Sequence, residues 1–301
     1  MTLNRELFDL LSCIEGCASG AKISELPRRT GLTDEVVQAS LEILGRAGFI
    51  DGFGVTPVGM KALSPFQAKR AIFLAAGLGS RMLPITINTP KPLVKVNGVR
   101  IIDRLLDAVI AAGIEEIYIV RGYLAEVFDQ LLHKYPQIEF IDNPVYHKGN
   151  NISSAFYARD FLTNAYVFES DLLLYNPALI TKYQYGSNYL GVPVNRSDDW
   201  CLLSAGDRVT AMQVGGENCH QMICVSYWDK HDGERLRQHI EEIYRQPKYR
   251  NIFWDQVPLE CFYDQYNVSV RECSFADIVE IDTVQDLILL DPAYGMIKSY
   301  A

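Results

Sequence analysis

The segment "LAAGLGSRM", Leu74–Met82, follows the apolar run "AIF" and carries glycines at positions 77 and 79. A glycine-rich turn directly after a strand is typical of backbone that approaches a phosphate group. The segment lacks the G-x-x-x-x-G-K-[ST] pattern of a P-loop, and it lacks the third glycine and the later acidic residue of a dinucleotide site. The turn therefore predicts phosphate binding after a first strand, but it leaves the type of phosphate chemistry open.

Strand-like and helix-like segments alternate from residue 71 onward. The strands are "AIFLAA", "EIYIVRG", "IEFIDN" and "AYVFESDLLL"; the helices are "IIDRLLDAVIAAGI", "LAEVFDQLLHKY" and "NISSAFYARDFL". This alternation predicts an α/β fold with a doubly wound, mostly parallel, Rossmann-like sheet that binds ligands at the carboxyl ends of its strands. Residues 185–282 are richer in strand-like segments, and we expect them to form a substrate lid or an antiparallel extension.

The first 66 residues have a different pattern, and we predict two domains, 1–66 and 69–301. Three helix-like segments and a hairpin-like segment in the first domain resemble a winged helix-turn-helix module. The domain has eight acidic and six basic side chains, whereas a DNA-binding surface must neutralise phosphates. We therefore expect a role in protein contact, dimerisation or ligand sensing rather than DNA binding.

Composition narrows the function classes further. The 301 residues carry a formal net charge of −9, which argues against a general nucleic-acid binder and against a polybasic membrane surface. No signal peptide and no apolar run long enough to span a membrane are recognisable. The seven cysteines form no C-x-x-C pair, so we expect reduced thiols in a cytoplasmic protein, without zinc or disulfides.

Two cations accompany the glycine-rich turn. Arg81 lies within it, and Lys91 follows ten residues later between two prolines in "TPKPL". Prolines restrict the backbone and so fix the origin of the lysine side chain. Two fixed cations beside a glycine-rich turn suit a nucleoside triphosphate, whose negative charge must be offset while one phosphorus is attacked.

The turn followed by "TPKPL" resembles the signature L-A-A-G-x-G-[ST]-R…P-K of nucleotidyltransferases that make sugar nucleotides and related activated alcohols. Further segments, "VRGYLAEVF", "DNPVYHKGNNISSAF", "AYVFESDLLLY", "VSYWDK", "FWDQ" and "VEIDTVQDL", are similar in order to those of bacterial CTP:phosphocholine cytidylyltransferases. The resemblance covers nearly all of residues 71–290. It implies transfer of CMP from CTP to phosphocholine with release of pyrophosphate.

The resemblance also implies site residues. Arg81, Lys91 and Asp171 would be catalytic. The nucleotide would be held by Leu74, Ala75, Ala76, Gly77, Gly79, Ser80, Arg81, Lys91, Gly122, Tyr123, Asn151 and Ser153. For Asn151 and Ser153 the alternative is that they cap the helix that follows.

Carboxylates at two strand ends are candidate ligands for Mg²⁺, which prefers hard oxygen ligands. Asp171 ends "AYVFESD", and Glu280 and Asp282 alternate to one face in "VEIDTVQD". The family places magnesium between these two segments. For Asp282 the alternative is a helix N-cap, and Glu169 departs from the family pattern two residues before Asp171.

Each of the three tryptophans adjoins an aspartate, as in Asp199-Trp200. Aromatic faces beside a carboxylate suit a quaternary ammonium group, although a tryptophan is also a common core residue. If residues 253–255 form a strand, Phe253 and Asp255 share one side and Trp254 faces away. The family typically has tyrosine where this chain has phenylalanine at position 253. The predicted substrate-binding residues are Trp200, Trp228, Phe253 and Asp255.

The sequence thus predicts a magnesium-dependent cytidylyltransferase that uses CTP and phosphocholine. One alternative is the same chemistry on phosphoethanolamine, 2-aminoethylphosphonate or a sugar 1-phosphate. Another is a regulator that uses a transferase-like domain as a sensor. The five histidines are expected to be surface or structural residues, because an already ionised phosphate needs no general base. Whether the chain forms a homodimer is left open.

Overall fold

A computed structural model describes residues 1–17, 22–52 and 54–296. The chain folds into two units, of which the first is Met1–Gln67 with Tyr183–Tyr185 and the second is Ala68–Lys182 with Gly186–Ala301. The first unit thus takes in a short segment from the middle of the chain. Residues 297–301 of the predicted second domain lie outside the described residues.

The first unit consists of small helices and a short hairpin. In chain order its elements are α1 (Arg5–Glu15), α2 (Leu26–Thr30), α3 (Asp34–Arg46), β1 (Ile50–Asp51), β2 (Gly54–Val55) and α4 (Pro57–Leu63). Thr33 caps α3 by accepting a hydrogen bond from the amide of Val36. The apolar faces of α1 and α3 meet in a core that includes the fully buried Leu10 and Leu44. The winged helix-turn-helix interpretation stays a prediction.

The second unit contains eleven strands and four α-helices among its described residues. The strands are β3 (Arg70–Leu74), β4 (Lys95–Val96), β5 (Val99–Arg100), β6 (Glu116–Arg121), β7 (Ile138–Asp142), β8 (Ala165–Glu169), β9 (Leu172–Leu174), β10 (Asn188–Ala205), β11 (Arg208–Trp228), β12 (Ser269–Glu272) and β13 (Ile278–Glu280). The helices are α5 (Ile101–Ala111), α6 (Ile152–Ala158), α7 (Lys230–Tyr244) and α8 (Val284–Leu290).

The central sheet has seven strands in the order β7-β6-β3-β8-β11-β12-β10. The pairs β6–β7, β3–β6 and β3–β8 are parallel. Along β3, Ile72 and Leu74 pack into one hydrophobic core, and Ala71 and Phe73 pack into a second on the opposite face. Burial on both faces explains the uninterrupted apolar run, and the α/β prediction is confirmed.

Two long strands extend the sheet. β10 and β11 pair antiparallel along most of their length, which agrees with the antiparallel extension that the sequence predicts. β11 also pairs antiparallel with β8. The hairpin therefore continues the parallel half of the sheet directly.

Two predicted elements differ in the structure. "LAEVFDQLLHKY" forms a 3₁₀ helix at Ala125–His133 rather than an α-helix. Arg121 donates to the carbonyl of Ala125 (3.2 Å), the group that an α-helix would pair with the amide four residues on. "AYVFESDLLL" is two strands, β8 and β9, separated by Ser170 and Asp171.

Among the described residues, no helix combines the length and apolarity that a membrane span requires.

Gly233 lies where α7 packs closely on the loop that precedes β8. A Cβ at this position would lie 2.4 Å from the carbonyl oxygen of Leu162 and 2.7 Å from Cα of Thr163. Because backbone cannot yield as a side chain does, we expect Gly233→Ala to lower the free energy of unfolding by about 1–3 kcal/mol in urea denaturation. Gly186→Ala is the control, since no heavy atom lies within 4 Å of its Cβ position. Equal effects of the two variants would contradict this packing.

Candidate active site

A pocket of about 550 Å³ opens where β3 and β8 end. It brings together segments that are distant in sequence, from the glycine-rich turn to the end of β13. The predicted site residues that line it are Leu74, Ala75, Ala76, Gly77, Gly79, Ser80, Arg81, Lys91, Asn151, Ser153, Asp171, Trp200, Phe253, Asp255, Glu280 and Asp282.

The glycine-rich turn is built for close approach. Gly79 has a φ of 62°, and a Cβ there would lie 3.1 Å from Thr86 and 3.3 Å from Cβ of Lys91. Thr86 also donates a hydrogen bond to the carbonyl of Gly79 (2.8 Å). At Gly77 a Cβ would meet no heavy atom within 4 Å. The turn is thus packed against the lysine segment on one side and open to a ligand on the other.

Lys91 lies at the centre of an ion-pair cluster. Its Nζ is 2.8 Å from Oδ2 of Asp171 and 2.9 Å from Oδ1 of Asp282. The guanidinium of Arg81 pairs with the same Asp282 at 2.7 Å. Burial alone would lower the pKa of Lys91, but the two carboxylates outweigh burial and raise that pKa above its ordinary value.

The break between β8 and β9 brings the acidic residues into the pocket. Ser170 lines the pocket as well, and its hydroxyl donates to the carbonyl of Leu74 (2.8 Å). β9 then leaves the central sheet and pairs antiparallel with β13, with Leu172 opposite Glu280. The amide of Ile281 donates to the carbonyl of Asp171 (3.0 Å). This pairing places Asp171 beside Glu280 and Asp282.

The helix cap after β13 is not Asp282. Thr283 occupies the N-cap of α8 and forms a capping box with Asp286, whose carboxylate also accepts from the amide of Asp282 (3.1 Å). The cap leaves the side chain of Asp282 in the pocket, where it meets Lys91 and Arg81. The capping alternative for Asp282 is wrong.

The donor set fits a hard divalent cation. Asp171, Glu280 and Asp282 each offer a carboxylate oxygen, and these atoms lie within 4.8 Å of one another. Among the residues that the structure describes, none donates a hydrogen bond to the buried Oδ1 of Asp171. Burial, and then the carboxylates of Asp171 and Asp282, raise the pKa of Glu280 to about 8. Such mutual repulsion is what a bound dication relieves.

The other end of the pocket holds aromatic rings and a buried carboxyl group. Trp200 and Phe253 meet edge to face, with ring centroids 5.6 Å apart. Asp255 is 4% exposed and accepts a hydrogen bond from the hydroxyl of Tyr189 (2.7 Å). Burial raises the pKa of Asp255 to about 7. A cationic ligand at this end would therefore meet two aromatic rings and a carboxyl group.

Trp228 does not line this pocket. It is fully buried, its indole N–H donates to the hydroxyl of Ser226 (3.0 Å), and its ring packs against Tyr189 and Trp254. The structure thus places it in the core, which was the alternative for each tryptophan.

Residues 253–255 form a turn that enters a π-helix at Val257–Cys261, so the predicted strand is wrong. Phe253 and Asp255 nevertheless line the pocket, and Trp254 packs in the core at 2% exposure. The turn produces this separation instead of strand alternation.

Gly122 and Tyr123 lie behind the pocket rather than in its lining. A Cβ at Gly122 would be 2.6 Å from the ring of Tyr146, which does line the pocket. The hydroxyl of Tyr123 donates to the carbonyls of Thr86 and Ile87 (3.0 and 2.9 Å). Tyr123 thus supports the loop that follows the glycine-rich turn, and Gly122 allows the close approach of Tyr146.

Asn151 and Ser153 do not cap α6 in the expected way. Asn151 occupies the N-cap position, but its side chain makes no capping hydrogen bond. The hydroxyl of Ser153 donates to the carbonyl of Asn150 (3.0 Å) and accepts from Asn143 (2.9 Å). Both residues line the pocket.

The structure adds carboxylates that sequence reasoning did not select as site residues. Asp199 and Glu169 both line the pocket. Burial, followed by the carboxylates of Asp171, Asp255 and Glu280, raises the pKa of Glu169 well above its ordinary value. Adjacency to Trp200 was the available signal for Asp199, and the departure from the family pattern was the signal for Glu169.

Comparisons with known proteins identify the family of the chain. The model of the nucleotidyl transferase family matches residues 70–186 and so begins at the first residue of β3. A 2-aminoethylphosphonate cytidylyltransferase of Lancefieldella rimae is 33% identical over 232 residues, which are 76% of this chain and 94% of that protein.

A choline-phosphate cytidylyltransferase of Streptococcus pneumoniae is 33% identical over 221 residues, 72% of this chain and 94% of that protein. The solved structure of a CTP:phosphocholine cytidylyltransferase from the same species superposes with a TM-score of 0.70 at 30% identity and covers 75% of this chain and 99% of that one. By fold, site and relatives, the chain belongs to the nucleotidyl transferase family.

Proposed function

We propose that this chain is a magnesium-dependent cytidylyltransferase. It transfers CMP from CTP to a small acceptor with a phosphate or phosphonate at one end and an ammonium group at the other. The observation that carries the proposal is one pocket that joins the glycine-rich turn, Lys91 and its carboxylates to the aromatic end with Asp255. The relatives support it, since their names specify CTP chemistry on amine-bearing acceptors.

Transfer of CMP requires that the two substrates are positioned and that the charge on the phosphates is offset. An oxygen of the acceptor's phosphoryl group attacks the α-phosphorus of CTP, a new P–O bond forms, and the bond to pyrophosphate breaks. Arg81 and Lys91 offset the charge on the phosphates. Asp171, Glu280 and Asp282 would hold magnesium, which supplies further charge neutralisation when bound. The acceptor oxygen is already ionised near neutral pH, so no side chain has to remove a proton.

Phosphocholine is the first candidate acceptor, because the aromatic end of the pocket suits its ammonium group. Trp200 and Phe253 line this end of the pocket, and each good contact between a ring face and a cation contributes about 0.5–2 kcal/mol. Asp255 adds a carboxyl group beside them. A quaternary ammonium group suits this combination, because its positive charge is attracted to aromatic rings and it has no N–H group that needs a hydrogen-bond acceptor.

A primary amine acceptor is the second candidate, and the position of Trp228 favours it. With that ring in the core, the predicted set of three aromatic walls is reduced to Trp200 and Phe253. The carboxyl groups of Asp199 and Glu169 line the pocket and can accept hydrogen bonds from N–H groups, which a quaternary ammonium group lacks. Phosphoethanolamine and 2-aminoethylphosphonate have such groups.

For the first unit we retain the proposal of a winged helix-turn-helix-like module that contacts protein or a ligand. The exposed side of α3 carries Asp34, Glu35 and Glu42. Three carboxylates on the helix that would enter a DNA groove oppose phosphate contact.

The acceptor is tested by pyrophosphate release. Each of the four nucleoside triphosphates is combined with phosphocholine, phosphoethanolamine, 2-aminoethylphosphonate and glucose 1-phosphate. We expect turnover with CTP and an amine acceptor and none with the sugar phosphate. A kcat/KM at least about tenfold higher for phosphocholine supports the first candidate, because cation–π contacts of about 1–2 kcal/mol separate the acceptors. The reverse order supports the second, and no turnover with any amine contradicts the proposal.

Asp171 tests the metal-binding carboxylates. Asp171→Asn keeps the shape of the side chain but removes its charge, so we expect kcat to fall by about 100-fold or more. Chelation should abolish wild-type activity, and added Mg²⁺ should restore it. Asp160→Asn is the control, because Asp160 forms a surface ion pair with Arg237. A D171N enzyme with near wild-type kcat would refute the assignment.

Asp255 should make acceptor binding pH-dependent. With a pKa of about 7, its carboxyl group is mostly neutral at pH 6 and mostly charged at pH 8. A charged Asp255 attracts the ammonium group, so we expect the acceptor KM to fall as pH rises through 7. Asp255→Asn should raise the KM and remove this part of the profile, while the titration of the acceptor phosphate remains in both enzymes. Identical pH profiles for the two enzymes would exclude this role.

A further inference from the structure

The side-chain amide of Asn151 joins two segments that the proposed mechanism leaves unconnected. Its Nδ2 donates to Oε1 of Glu169 (2.7 Å), at the end of β8. Its Oδ1 accepts from the backbone amide of Trp254 (2.9 Å), 103 residues away in the chain. The donor faces a carboxyl group and the acceptor faces an N–H, so the partners on both sides fix the orientation of the amide.

The backbone beside Asn151 makes a second connection to the same loop. The amide of Asn150 donates to the carbonyl of Arg250 (3.0 Å). At Gly149 a Cβ would lie 2.2 Å from that carbonyl oxygen, so only glycine permits this approach. The residues 149–151 thus hold the loop 250–255 through backbone and side chain together.

The loop that is held in this way carries the acceptor end of the pocket. Phe253 and Asp255 flank Trp254, whose ring is anchored in the core against Trp228 and Tyr189. Tyr189 also bonds the carboxyl group of Asp255. A shift of the Trp254 amide would therefore move both of its pocket-lining neighbours.

We propose that Asn151 is a positioning residue for the acceptor, and not a nucleotide ligand: with Gly149 it fixes the loop 250–255 to the end of β8. The inference rests on the proposed function, because it assumes that Phe253 and Asp255 bind the acceptor. It changes the role that family resemblance implies for Asn151. A substitution that breaks these contacts should therefore weaken acceptor binding more than nucleotide binding.

Two chemically unrelated variants test the inference. Asn151→Ala removes both hydrogen bonds, and Gly149→Ala displaces the Arg250 carbonyl without removing a polar group. For each variant we expect the acceptor KM to rise about tenfold or more, while the dissociation constant of CTP with Mg²⁺, measured by calorimetry without acceptor, changes less than about twofold. The acceptor is the amine that the wild-type enzyme uses best.

Asn176→Ala is the matched control, because its amide also bridges two segments, to Asp277 (2.8 Å), outside the pocket lining. It should lower the melting temperature without raising the acceptor KM. A CTP dissociation constant that rises as much as the acceptor KM in N151A would make Asn151 a nucleotide ligand and overturn the inference. Unchanged values in both variants would also overturn it. Failure of the proposed function would appear separately, as a wild-type enzyme without turnover on any amine acceptor.

Discussion

The ammonium group of Lys91 stabilises the end of the pocket at which we propose that the nucleotide binds. Three carboxyl groups converge there within 4.8 Å, and like charges at that distance repel strongly at a partly buried site. Lys91, itself 12% exposed, neutralises two of them at 2.8 and 2.9 Å. These residues are 80 and 191 positions away in the chain. Three features bring Lys91 and its two carboxylates together. They are the break after β8, the β9–β13 pair and the packing of Gly79 on Lys91.

The two ends of the pocket distribute charge differently. At the nucleotide end, Lys91 and Arg81 compensate the carboxylates before any ligand binds. At the acceptor end, Asp255 is bonded to the neutral hydroxyl of Tyr189, and no cationic side chain among the described residues forms an ion pair with it. A ligand with phosphates at one end and a cation at the other matches this distribution. This charge distribution therefore supports the orientation that we propose for the acceptor.

The sequence predicts features that depend on contiguous residues, but it does not predict which side chains of a folded element face the pocket. The apolar run of β3 and the spacing of Arg81 and Lys91 need no tertiary information, and both appear as expected in the structure. Adjacency of tryptophan and aspartate could not tell which ring faces the pocket. Trp228 and Trp200 share that motif, yet only the latter lines the pocket, because β11 is buried on both faces where Trp228 lies. The contacts of Asn151 span 103 residues and leave no local pattern.

β8 links the two ends of the pocket mechanically. It ends at Glu169, which bonds Asn151, and Asp171 follows two residues later among the three carboxyl groups that we propose bind the metal ion. The loop 250–255 and the carboxyl groups around Lys91 are thus both attached to the same strand end at the centre of the sheet. In-line attack requires the two reactants at a fixed separation, and small misplacements are costly in rate. Attachment of both halves to one rigid strand, rather than to each other through loops, is how this fold can meet that requirement.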